Sequence, residues 1–182
     1  MTTERTTIEP DTKDWTWVLD EVCPDCGYDA AAVDRAAIGA AIREDAAFWA
    51  RVLDDPRAGT RPEPAIWSPT EYGAHVRDVH RVFAGRVEQP AHRARPALRQ
   101  LGPGRDRPRR ALRPADRSRG AAGPARGGRV SPRAWYDRVG DEEWARPGRR
   151  SNGSVFTVET LGRYHLHDLV HHRWDVRWII AG

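Results

Sequence analysis

The chain has 182 residues, a formal net charge of +4, 39% apolar residues and eight tryptophans, which suits one folded domain with a sizeable core. It has no run of about eighteen apolar residues, which argues against a membrane span, and residues 1–10 lack the charged-then-apolar pattern of a secretory signal. Two cysteines are too few for a disulfide framework and suit a reducing compartment, so a cytoplasmic protein is expected.

Residues 1–28 read as an extended N-terminal arm in which Trp15, Trp17 and Leu19 are available to pack. Cys23-Pro24-Asp25-Cys26-Gly27 has the composition of a tight turn; without a second Cys-x-x-Cys it is at most half of a zinc site. Residues 29–182 are expected to form one helical domain. Its first helix should run from about Asp29 to Leu53, because Val33, Ala37, Ile38, Ala41, Ile42, Phe48, Trp49 and Val52 recur at helical spacing. Pro56, Gly59, Pro62 and Pro64 mark a loop. Ser68-Pro69-Thr70-Glu71 is a start signal: Ser68 caps, Pro69 takes the first helical position, and Glu71 reaches back to the cap. The helix it opens should end near Val87, with Tyr72, His75, Val79, Val82 and Phe83 on its core face.

Residues 89–133 break this pattern. They hold thirteen arginines against Asp106 and Asp116, together with seven of the fourteen prolines and no aromatic residue, so the rest of the chain is net acidic. The segment reads as a disordered basic linker interrupting the domain. Ordered-protein signals return at Trp135. Ser151-Asn152-Gly153 reads as a turn, and Thr157 is placed to cap a last helix over about Val158–Ile180.

That helix carries four of the seven histidines. Residues four apart share a face, so His167 and His171 form one pair, on a face with Thr160, Tyr164, Trp174 and Trp178 that should turn inward. Asp168 and His172 form a second pair about 100° round the axis, on a face with Leu161, His165 and Ile179. Either pair can grip a metal ion but leaves its shell incomplete, and His75 is the natural third ligand. His80 reads as a packed or edge histidine and His165 as a solvated or supporting one.

The stretches IWSPTEYGAHVRDVHRVF and GSVFTVETLGRYHLHDLVHHRWDV resemble the DinB-like (DinB/YfiT) superfamily of small metal-binding four-helix bundles, which includes mycothiol-dependent maleylpyruvate isomerase. The resemblance covers about residues 14–88 and 134–178. It implies an all-α four-helix bundle whose third-helix region, 89–133, is aberrant here. It also implies a divalent metal, zinc or nickel, on His75, His167 and His171, with Asp168 and His172 replacing the histidine pair in some relatives. The function implied is a metal-dependent thiol transferase or isomerase acting on a low-molecular-weight thiol and an electrophile. In that picture Asp168 and His172 are candidate proton-transfer groups, and Arg163 and Arg173 candidate anchors for a carboxylate of the thiol. A homodimer is left open.

Other readings compete. The chain could be a non-catalytic metal-binding or stress-response module, told apart by metal binding without thiol turnover. Nucleic-acid binding through the arginines is disfavoured, because no aromatic residue interleaves with them. The abrupt edges of 89–133 also suggest a segment read out of frame, with impaired activity: for one choice of GC-rich codons, Arg93–Arg113 shifted by one nucleotide can read as an acidic, aromatic-containing segment, as in the resembled family.

Overall fold

A computed structural model describes residues 8, 13–92, 97–98, 135–150 and 153–181. Its described part is mostly helical, with α1 at Ile38–Asp54, α2 at Pro69–His92 and α3 at Val158–Ala181. Each helix buries an apolar stripe at helical spacing: Ile38, Ile42, Trp49 and Val52 from α1, Val76, Val79, Phe83 and Val87 from α2, and Leu161, Leu169 and Val176 from α3. Removing such a side chain from water is worth about 1.5–3 kcal/mol, so these stripes hold α3 against both other helices. Gly162 permits one of the closest approaches. A Cβ there would lie 3.0 Å from both Ile38 Cδ1 and Tyr136 Cε1.

Two helix starts follow from local chemistry. At α2, Ser68 N–H donates to Glu71 Oε2 at 3.0 Å and Glu71 N–H to Ser68 Oγ at 3.3 Å, closing the expected capping box. Arg61 secures the carboxylate with two hydrogen bonds of 2.8 and 2.7 Å. At α3, Thr157 Oγ1 accepts from Thr160 N–H at 3.1 Å, and Thr160 Oγ1 accepts from Thr157 N–H at 2.9 Å.

Three expectations are corrected. The first α-helix starts at Ile38, after a short 3-10 turn over Arg35–Ala37, and not near Asp29. Asp29 accepts from Ala31 N–H at 2.9 Å in a turn that competes with helix formation, whereas Asp34, accepting from Ala36 N–H at 2.9 Å, caps the 3-10 turn where the helical run begins. The second helix runs past Val87 to His92. The described chain is also not purely helical. A small sheet pairs β1 (Ala97–Leu98) in parallel with β2 (Pro147–Arg150), and β2 antiparallel with β3 (Val155–Thr157). Gly153, at φ +94°, takes a left-handed conformation just before β3.

The arm is folded over residues 13–28. A 3-10 turn at Thr16–Leu19 packs on α3, and Cys23 and Tyr28 are buried. Tyr28 Oη–H donates to the Arg163 carbonyl at 2.7 Å. The basic segment 89–133 lies outside the described residues except for 89–92 and 97–98. Among the described residues, no helix is long and apolar enough to cross a membrane.

Candidate metal centre

His167 with His171, and Asp168 with His172, leave α3 as adjacent pairs, and each pair meets a different partner. The first group that could hold a metal ion joins His75 of α2 to Asp168 and His172, one donor atom from each lying within 4.8 Å of the others. His172 Nε2 is 3.5 Å and His75 Nε2 3.9 Å from Asp168 Oδ1. That oxygen is buried and accepts no hydrogen bond. On its other side, His172 Nδ1 lies 2.9 Å from Asp175 Oδ2. Because an ionised carboxylate only accepts, Nδ1 carries a proton in this bond; Nε2, facing His75 and Asp168, is a donor in the imidazolium and becomes a ligand atom once deprotonated. Burial alone lowers the His172 pKa, but the Asp175 hydrogen bond and the charges of Asp168, Asp175 and Asp45 raise it. The rings of Trp67 and Tyr72 flank His75 and His172 at 5.3 and 5.4 Å between centroids. Burial, and then the charge of Asp175, push the Tyr72 phenol up to about 12, so it stays protonated.

The second group joins Cys23 and Cys26 of the arm to His167 and His171, again with donor atoms within 4.8 Å of one another. Cys23 and His167 are buried, whereas Cys26 and His171 are half-buried. Cys23 Sγ lies 3.7 Å from His171 Nδ1. His167 Nε2 is buried without a hydrogen-bond partner. Burial, reinforced by the charge of His171, brings the His167 pKa down to about 4, so its imidazole is neutral at neutral pH. Burial pushes the Cys26 thiol up to about 11. The Trp15 ring covers both imidazoles, at 5.5 Å from His167 and 5.1 Å from His171, and Tyr28 meets His167 edge-on at 5.5 Å.

The structure therefore divides the trio expected as metal ligands. His75 converges with Asp168 and His172, while His167 and His171 turn toward the arm. Asp175 escaped the sequence reading, although His172-x-x-Asp175 has the spacing of helical neighbours. Cys23 and Cys26 were legible only as half a site, because their partners stand far along the chain.

Other expected residues have different surroundings. Arg163 is engaged structurally, donating to the Val33 carbonyl at 3.1 Å and pairing with Glu159 at 2.8 Å. Arg173 lies over the Phe48 ring at 4.7 Å. His165, expected to be solvated or supporting, is buried and stacked on Phe83 with 4.3 Å between centroids. Burial, with the charges of His80 and Arg86, lowers its pKa. His80 is packed, as expected, with Nε2 3.5 Å from the buried Asp45 carboxylate. Trp178, expected to face inward, is 63% exposed.

Compared with known proteins, the chain matches no family model, no curated protein and no solved structure.

Proposed function

We propose that the chain is a DinB-like divalent-metal protein, a four-helix bundle in its complete form, that uses His75, Asp168 and His172 to activate a low-molecular-weight thiol for transfer or isomerisation. The carrying observation is the convergence of two imidazole nitrogens and the unbonded Asp168 oxygen from two packed helices. Two nitrogens and one carboxylate oxygen suit zinc or nickel, and three protein ligands leave a coordination position open. A bound ion would supply Lewis acidity that lowers the pKa of a thiol or water reaching that position.

The remaining work falls to the chain's own side chains. Asp175 fixes the ring orientation and tautomer of His172. Trp67 and Tyr72 set rings beside the two imidazoles, and the protonated Tyr72 can donate a hydrogen bond to a substrate anion. Arg163 and Arg173, committed within the protein, are not needed in this reading.

Metal analysis of the purified protein tests it. His75→Ala should lose about one zinc or nickel ion per chain and all thiol conjugation or isomerisation activity. Unchanged metal content would remove His75 from the site. Metal bound without turnover of any thiol–electrophile pair would instead favour a non-catalytic metal-binding module.

A further inference from the structure

We propose that Cys23, Cys26, His167 and His171 form a second, closed tetrahedral zinc site that fastens the N-terminal arm to α3. This inference stands independently of the thiol chemistry assigned to His75, Asp168 and His172. Each half has the spacing of a zinc ligand pair, Cys-x2-Cys and His-x3-His, and two sulfurs with two nitrogens complete a structural shell.

Local structure shapes both halves for this. Gly27 N–H donates to the Cys23 carbonyl and Cys23 N–H to the Tyr28 carbonyl, both at 2.9 Å, folding the arm so that both sulfurs come close to the two imidazoles. Gly27 sits at φ +73°, a left-handed conformation that glycine adopts without strain. On α3, one helical turn aligns His167 with His171, and the buried His167 Nε2 has no hydrogen-bond partner. Two thiolates neutralise a zinc ion, so the centre can lie beneath Trp15 and Tyr28 without a buried net charge. The His75 group has a single carboxylate and three protein ligands, the composition of an open site. Its neighbour has four ligands and no open position, so its role is to hold structure.

Full-length protein, stripped with a chelator and reloaded with zinc or cobalt alone, tests the assignment. Cobalt loading should produce a thiolate-to-cobalt charge-transfer band. The band should persist in His75→Ala and disappear in Cys23→Ser/Cys26→Ser, which should also lose about one zinc ion per chain. Zinc should protect both thiols of the unmutated protein from a thiol-modifying reagent, a readout that does not depend on any variant folding. Absence of the band, zinc-independent thiol reactivity, or a Cys23–Cys26 disulfide forming readily in zinc-loaded protein would overturn the proposal. Loss of the His75 site alone leaves the band intact, so failure of one site is distinguishable from failure of the other.

Discussion

Asp175 shows how one side chain can decide what its neighbour does. His172 has two chemically different nitrogens, and the 2.9 Å contact to Asp175 assigns the proton to Nδ1. Asp175→Asn can still meet Nδ1, but it removes the negative charge that makes Nε2 a strong donor. Metal affinity at the His75 group should fall about 10–100-fold, with the thiolate–cobalt band of the neighbouring group unchanged, as read by parallel zinc and cobalt titrations. Unaltered affinity would show that His172 does not depend on Asp175. His165 makes a complementary point: histidine content alone does not mark a site, since this ring is spent on packing against Phe83.

The first turns of α2 and α3 fix where those helices start, while their apolar stripes fix how they pack. At the start of α2, burial pushes the Glu71 pKa up, but Arg61 and both the backbone and side chain of Ser68 outweigh it, holding the carboxyl at about 2 against an ordinary 4.5. A carboxyl depressed in the folded state stabilises the protein above its ordinary pKa. That contribution drains away as pH falls from about 4.5 toward about 2. Glu71→Gln should therefore cost about 1.5–3 kcal/mol near neutral pH, with the gap from the unmutated protein narrowing in acid. Urea denaturation at neutral pH and near pH 3 measures this, and a gap of constant size would refute the electrostatic account. The third helix shows a different economy. One residue of offset along α3 separates His167 and His171, facing the arm, from Asp168 and His172, facing α2. A single helix thus supplies candidate ligands to two groups without any residue serving both.

Across the molecule, the arm and α3 come together at the Cys23 group, while α2 and α3 come together at the His75 group, so both candidate sites lie where packing brings distant segments side by side. The chain between α2 and Trp135 is the anomaly. Its thirteen arginines in an otherwise acidic protein predict a reading-frame shift, and sequencing the coding DNA checks this directly. Single-base shifts near codons 88 and 133 should open an acidic, aromatic-containing frame; an uninterrupted frame that encodes no such segment would eliminate the explanation.

Much of the local structure was legible from residues close together in the chain. Ser68 with Glu71, and Thr157 at the head of α3, marked helix starts because capping acts over three residues. The recurring apolar positions marked core faces because the helix repeats every 3.6 residues. The two ligand pairs on α3 were visible for the same reason. His75 was legible as a third ligand, but not which pair it would join, nor that the cysteines would meet the other, because periodicity sets angles around one axis but not the rotation of that axis against its neighbours. Packing against α2 and the arm gave His75 to Asp168 and His172, and the two cysteines to His167 and His171. The small sheet and the burial of His165 likewise depend on contacts between distant segments, where side-chain shape and burial decide and local spacing is silent.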